Sequence, residues 1–161
     1  MCGIVGYLGT KNASEVIVDG LSKLEYRGYD SAGIAVCNDG ELEIRKFKGR
    51  LAVLAEDIEK NEMKGHLGIG HTRWATHGEP SDVNSHPHFN KDKTIAVVHN
   101  GIIENYMELK EELKEDGVEF RSETDTEVIA HLVDKYYEGN LLDAVYKTVA
   151  RLRGAYALGV I

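Results

Sequence analysis

The sequence predicts an α+β fold in which helices cover antiparallel sheets. Short apolar runs of strand length alternate with segments of helical periodicity in the order strand, helix, hairpin, helix, two strands, three helices, strand. The dipeptide Asp39-Gly40 between two strand-like runs is a strong hairpin signal. Because a hairpin replaces regular strand–helix–strand units, we expect antiparallel sheets. No repeat or linker divides the chain, so one domain is expected over residues 1–161.

The first elements follow from apolar runs and their boundaries. Residues 4–8 form an apolar run between two glycines, which is typical of a buried strand. Asn12 or Ser14 can cap a following helix whose apolar residues keep helical spacing. A polar, glycine-rich loop over residues 26–33 then leads into an apolar strand at residues 34–37.

The middle of the chain combines the hairpin with a helix and two strands. After the hairpin turn, alternating apolar residues predict a return strand with one solvent-facing side. Helical spacing predicts a helix over residues 51–61, and apolar runs predict strands at residues 67–71 and 94–99. The intervening residues 73–93 are expected to form a long polar loop.

Three helices and a strand complete the expected order. The helices have apolar residues at intervals of three and four, over residues 104–116, 124–137 and 140–152. Ser122 or Thr124 is expected to cap the second of them. The last strand, residues 155–161, is apolar, and an open apolar edge normally has a neighbour. We therefore expect the domain to continue with further strands.

Charge and composition exclude several classes of function. The 161 residues include 27 acidic and 19 basic side chains, which give a net charge of −8. Nucleic acids and anionic membranes are bound by clustered lysine and arginine, so neither is an expected partner. No apolar run approaches the roughly 20 residues that span a bilayer, and the start lacks a secretion signal. We expect a cytoplasmic protein.

Cys2 is the first candidate catalytic residue. If Met1 is removed after synthesis, Cys2 carries both a thiol and a free α-amine, whose ordinary pKa values are ~8.5 and ~7.7–8.0. The amine can then accept the thiol proton, so one residue supplies nucleophile and base. Alternatively, Cys2 is only a small buried residue on the first strand. Cys37, in an apolar strand, is expected to be an inert core thiol.

Three other segments carry groups suited to binding or catalysis. Arg73 offers a planar fork that fits a carboxylate, although it can equally be a surface arginine beside a core tryptophan. Asn100-Gly101 is either a plain turn or a pair of donors for a developing oxyanion. The acidic residues at 122–127 suit a helix start, with one carboxylate available to hold an ammonium group.

The histidines allow a rival hypothesis of a metal site. Four of the seven fall within a short stretch, at positions 71, 77, 86 and 88. The helical histidine pair and nearby acidic ligand of the zinc enzymes are absent. We therefore expect these rings to form hydrogen bonds or line a pocket, with no metal and no cofactor.

Together these segments resemble a known family. The chain carries, in order, MCGIVG at 1–6, YRGYDSAG at 26–33, HTRWATHG at 71–78, SHPH at 85–88, HNG at 99–101 and SETD at 122–125. This series resembles the class II glutamine amidotransferase domain, most closely the glutaminase half of the glutamine:fructose-6-phosphate aminotransferases (glucosamine-6-phosphate synthases). The resemblance implies an Ntn-hydrolase αββα sandwich of four layers, incomplete here at its C-terminus.

The resemblance also assigns catalytic roles. Cys2 would attack the side-chain amide of glutamine with its own α-amine as base. The Gly28 carbonyl would orient that amine, and Arg27 would support the loop. Asn100 and Gly101 would form the oxyanion hole.

Further roles concern the substrate and partners. Arg73 would bind the α-carboxylate of L-glutamine and Asp125 its α-ammonium, while Trp74, Thr76 and His77 would belong to a lid. The ammonia released would aminate fructose 6-phosphate on a sugar-phosphate isomerase domain of the full-length enzyme, and a homodimer is compatible with this arrangement. The alternatives are an inactive fragment, a glutamine-binding module, or the glutaminase domain of another amidotransferase such as amidophosphoribosyltransferase.

Overall fold

The computed structural model describes residues 2–75 and 78–161, which form seven strands, five α-helices and a short 3₁₀ helix at Glu25–Arg27. The strands are β1 (Gly3–Leu8), β2 (Ser31–Asn38), β3 (Glu41–Lys48), β4 (Leu67–Arg73), β5 (His88–Phe89), β6 (Ala96–Gly101) and β7 (Tyr156–Val160). The helices are α1 (Ala13–Ser22), α2 (Leu51–Lys60), α3 (Tyr106–Glu115), α4 (Thr126–Tyr136) and α5 (Leu141–Val149). None of the helices in these two ranges has the length and apolar character needed to cross a membrane.

The strands form two antiparallel sheets that lie between two helical layers. One sheet has the order β1-β4-β2-β3 and the other the order β5-β6-β7. Helices α1 and α2 bury their apolar residues on the first sheet, whereas α3, α4 and α5 pack on the second. Between the sheets lie mostly small or branched side chains, Ala35, Ile69, Ala96 and Val98 among them. The predicted αββα sandwich is therefore confirmed.

The hairpin follows the prediction from local sequence. Asn38 pairs with Glu41, so two residues form the turn between β2 and β3. Asp39 and Gly40 both have positive φ angles, 50° and 84°, as the twist of a two-residue hairpin requires.

Two strands extend further than expected, and one was missed. β2 begins at Ser31, because residues 31–33 pair with β3 on one side and with β4 on the other. β4 continues to Arg73, which pairs with Ser31. β5 lies inside the expected long loop, and its two residues pair only with β6. In each case pairing with a distant strand outweighs a local composition that favours a loop.

Two local expectations were wrong. Asp125, rather than Ser122 or Thr124, is the N-cap residue of α4, and its side chain forms no capping hydrogen bond. Ser122 Oγ instead donates to the Glu127 carboxylate at 2.6 Å. Cys37 is half-buried at the end of β2 rather than a core thiol.

Candidate active site

A cavity of about 410 Å³ lies where β4 and β6 end. Most of the predicted site residues line it: Cys2, Arg27, Arg73, Trp74, Asn100, Gly101 and Asp125. Gly28 instead packs against the main chain of Arg73 and Trp74, as described below. Thr76 and His77, the other predicted lid residues, lie outside the described residues. The structure thus brings together side chains that are up to 123 positions apart in the sequence.

Cys2 lies just before β1, opposite the end of β4. Gly3 pairs with Thr72, so the sulfur of Cys2 lies beside the residues that follow β4. The backbone N–H of Trp74 donates to Cys2 Sγ at 3.1 Å. Cys2 is half-buried and lines the cavity. Its sulfur is therefore reachable from the cavity and held by the main chain, which argues against a purely packing role.

The loop before β2 packs against residues 73–75, whose main chain donates to the sulfur of Cys2. A Cβ atom on Gly28 would lie 2.8 Å from the carbonyl carbon of Arg73 and 3.0 Å from the nitrogen of Trp74, so only glycine fits there. Asp30 is bonded to both ends of the same segment: its N–H donates to the Arg73 carbonyl at 3.0 Å, and its carboxylate accepts from Ala75 N at 2.6 Å. This clamp fixes the peptide that donates to Cys2.

Arg73 and Asp125 place opposite charges on one cavity. Arg73 is 4% exposed and Trp74 is 47% exposed. The alternative of a surface arginine beside a core tryptophan is therefore wrong. Burial lowers the pKa of Arg73, whereas Cys2, Asp30 and Asp125 nearby raise it. One Asp125 oxygen accepts from the N–H of Ile103 at 2.9 Å. A ligand with a carboxylate and an ammonium group matches this pair of charges.

Asn100 and Gly101 end β6 beside Cys2. Asn100 Nδ2 donates to the main-chain carbonyl of Cys2 at 3.1 Å. Ala96 exchanges both backbone hydrogen bonds with Ile161, so alternation along β6 points the N–H of Gly101 away from β7. Gly101 lines the cavity on that side. Asn100, Gly101 and Cys2 thus line the same cavity, and Gly101 still pairs with Tyr156 instead of forming a plain turn.

A cluster of buried histidines supports the same region. His71, His86, His88 and His99 are each at most 5% exposed. The ring of His86 stacks on that of His71 at 4.0 Å, and His99 Nδ1 lies 2.8 Å from the hydroxyl of Thr126. Burial lowers the pKa of His71 to about 3 and that of His86 and His88 well below 6.5, so these three rings are neutral.

The expected role of these histidines is confirmed for His71, His86 and His88, each of which forms hydrogen bonds, and His86 also lines the cavity. Within residues 2–75 and 78–161, no group of three histidine, cysteine, aspartate or glutamate side chains is arranged to hold a metal ion. The specific contacts of His71 with Asn100 and of Thr126 with His99 were not predicted. The only sequence signal for them was polar residues within or beside apolar segments.

The acidic segment at residues 122–127, which leads into the first turn of α4, turns two carboxylates inward. Besides Asp125, Glu127 is 2% exposed and accepts from Ser122 Oγ, from the N–H of Arg121 and from His131 Nε2. Burial alone would raise the pKa of Glu127, but these hydrogen bonds lower it to about 2. Since its oxygens are already bonded, Glu127 stabilises the fold, and Asp125 is the carboxylate of the segment that lines the cavity.

Comparison with known proteins gives consistent similarities. A family model described as a glutamine amidotransferase domain matches residues 38–161. The glutamine–fructose-6-phosphate aminotransferase (isomerizing) of Clostridium acetobutylicum is 66% identical over 161 residues, which are the whole chain and 26% of that relative. The enzyme of the same name from Thermus thermophilus is 58% identical over 160 residues, covering 99% of this chain and 26% of the relative.

A solved structure is similar as well. It is the glutamine phosphoribosylpyrophosphate amidotransferase from B. subtilis complexed with ADP and GMP, with a TM-score of 0.86 and 30% identity. The match covers all of this chain and 35% of that one. The chain thus spans about a quarter of the length of the curated relatives it matches.

Proposed function

This chain belongs to the glutamine amidotransferase domain family, and on that premise we propose that it hydrolyses L-glutamine to glutamate and ammonia through a thioester on Cys2. The observation that carries the proposal is that Cys2 lines one cavity together with the amide of Asn100, the strand-end residue Gly101 and the opposite charges of Arg73 and Asp125. Glutamine offers one partner to each of these groups.

The first step is attack on the side-chain amide of glutamine. With Met1 removed, the α-amine of Cys2 takes the thiol proton, with the Gly28 carbonyl orienting the amine and Arg27 supporting its loop. The sulfur forms a bond to the amide carbon, and the negative charge on oxygen is stabilised by Asn100 Nδ2 and the N–H of Gly101. The proton then passes to the leaving nitrogen, the carbon–nitrogen bond breaks, and ammonia departs.

The second step returns the enzyme to its starting state. Water, deprotonated by the same α-amine, attacks the γ-glutamyl thioester, and the same donors stabilise the second oxyanion. The carbon–sulfur bond breaks, the sulfur regains a proton, and glutamate is released. Exclusion of bulk water before this step is the role that we assign to a lid containing Trp74, Thr76 and His77.

Recognition of glutamine is assigned to the two charged residues. Arg73 binds the α-carboxylate through its planar guanidinium, and Asp125 binds the α-ammonium. Trp74, which is 47% exposed beside the cavity, offers a ring to cover the bound substrate.

We further propose that the ammonia is used to convert fructose 6-phosphate to glucosamine 6-phosphate in a longer cytoplasmic protein with a sugar-phosphate isomerase domain, assembled as a homodimer. The 66% identity to a relative named for this reaction supports this acceptor. The relative named for phosphoribosylpyrophosphate is 30% identical, so that acceptor is the second candidate.

The proposal is tested by covalent labelling of the processed full-length protein. The probe is a glutamine analogue with an electrophilic diazoketone in place of the amide, and the adduct is mapped by peptide mass spectrometry. We expect one adduct, on Cys2, that excess glutamine prevents. Cys37 is the internal control because it is a second, half-buried thiol of the same chain. Labelling at Cys37 with Cys2 untouched contradicts the proposal.

The intact mass of the same sample distinguishes the non-catalytic alternative. Loss of Met1 together with ammonia release supports the proposed reaction. Retained Met1, with glutamine bound but no ammonia formed, indicates a glutamine-binding module.

A further inference from the structure

We propose that His71 is a positioning residue that holds the side-chain amide of Asn100 with its NH₂ group directed toward Cys2. The inference rests on the proposed glutaminase function, and it concerns a residue in the opposite sheet from Asn100. His71 lies on β4, whereas Asn100 lies on β6.

The hydrogen bonds of His71 determine where its ring proton lies. His71 Nε2 is 3.1 Å from the main-chain carbonyl of His99 and 2.9 Å from Asn100 Oδ1. A carbonyl oxygen can only accept, so Nε2 must carry the hydrogen. The ring is neutral because burial lowers the pKa of His71 to about 3, and its Nδ1 therefore has no hydrogen. His71 thus presents a fixed N–H donor to Asn100.

This donor selects one orientation of the Asn100 amide. An N–H facing Asn100 requires the amide oxygen on that side, which leaves Nδ2 on the side of Cys2, where it donates to the Cys2 carbonyl. The reversed amide would place NH₂ against the imidazole N–H and oxygen against the Cys2 carbonyl. Both contacts would then be repulsive, so the two hydrogen bonds agree on a single orientation.

The main chain next to Asn100 is held by His71 and His86. Alternation along β6 points the N–H and C=O of His99 away from β7 and toward the side of β5. On that side β5 pairs only with Ala96 and Val97, so His99 has no strand partner there. His86 Nδ1 accepts that N–H at 3.3 Å, and His71 Nε2 donates to that C=O. The two rings stack at 4.0 Å with an angle of 11° between their planes. They take the place of a strand neighbour just before Asn100 and Gly101.

The expected effect of losing the His71 donor falls on the chemical step. Asn100 Oδ1 would lose its donor in a part-buried position, and the amide would no longer be held in the orientation that stabilises the oxyanion. The two hydrogen bonds of His71 go to His99 and Asn100, whereas we assign glutamine binding to Arg73 and Asp125. The maximum rate should therefore fall more than the affinity for glutamine.

The test is a double-mutant cycle in the full-length protein, using His71→Phe, Asn100→Ala and the combination. We expect His71→Phe to lower kcat about 10- to 100-fold while KM for glutamine changes less than about 3-fold. Because His71 acts through Asn100, His71→Phe should slow the Asn100→Ala variant less than about 2-fold further. His71→Gln, which keeps a donor near the Nε2 position, should recover most of kcat.

His131→Phe is the matched control, since His131 is also a buried histidine at 4% exposure but bonds to Glu127 away from the cavity. Multiplicative effects in the cycle, or an equal loss of kcat in His131→Phe, overturn the inference. The tautomer of His71 in the unsubstituted protein, read from its ring ¹⁵N chemical shifts, gives a test that does not depend on any variant folding. An Nδ1–H tautomer overturns the inference. If the unsubstituted protein hydrolyses no glutamine, the proposed function fails, while the tautomer still tests the geometry.

Discussion

Replacement of Gly101 by alanine tests the oxyanion hole most directly. Gly101 has a φ of 113°, and an added Cβ would fall on the carbonyl oxygen of Ala155 and lie 2.9 Å from Cα of Tyr156. Since both obstacles are main-chain atoms of the segment leading into β7, the end of β6 must move away. That movement would turn the N–H of Gly101 from the cavity, and loss of one such donor costs about 10²- to 10³-fold in rate.

Gly117→Ala is the matched control for this substitution. Gly117 also has a positive φ, 87°, but no atom lies within 4 Å of an added Cβ. Both variants should lose about 1–2 kcal/mol of stability from the left-handed backbone, and Gly101→Ala should lose more because of the steric overlap.

The assay combines two measurements on each variant: steady-state release of glutamate and unfolding by denaturant. We expect a fall in kcat for Gly101→Ala alone, measured at a temperature where both variants are folded. A kcat for Gly101→Ala within about 3-fold of that of Gly117→Ala would refute the assignment of the Gly101 N–H to the oxyanion.

Two further predictions concern binding and pH. Arg73→Lys should raise KM for glutamine about 10- to 100-fold with a smaller change in kcat, because an ammonium cannot replace a two-pronged hydrogen bond to a carboxylate; an unchanged KM contradicts this. The unfolded chain binds protons at His71, His86 and His88 near pH 6.5, whereas the folded chain resists this because burial lowers all three pKa values. Their contribution to stability is therefore complete above pH 6.5 and is lost as the pH falls toward 3, by up to about 4 kcal/mol per pH unit for three rings. Denaturant unfolding at several pH values should show this slope, and a flat profile between pH 6.5 and 5 would contradict it.

Local signals predicted much of the secondary structure. The five helices were placed by their apolar spacing, and observed ends differ from the expected ones by a few residues. Residues 31–33 were assigned to a loop because glycine and serine disfavour strands in isolation. They form a strand because they have partners on both sides, at β3 and β4, and pairing of that kind has no local signal.

The candidate site was predicted unevenly for a similar reason. Cys2 and Arg73 were identifiable because their chemistry depends on residue type and position. His71 was named only as one of several histidines, since its role depends on Asn100, 29 positions away in the sequence and on the other sheet. The sequence likewise predicts no role for Asp30, because its hydrogen bond to Ala75 depends on how two loops meet.

The order of the elements, the hairpin turn and a thiol at position 2 were determined by the sequence alone, because each depends on neighbours within a few residues. Only the tertiary structure decided that β4 and β6 end at one cavity, that the Gly101 N–H points away from β7, and that the buried His71 contacts Asn100. These features depend on strand register and on packing between two sheets. Both are properties of distant segments in contact, so the physical reason for the site lies in the folded arrangement rather than in any one motif.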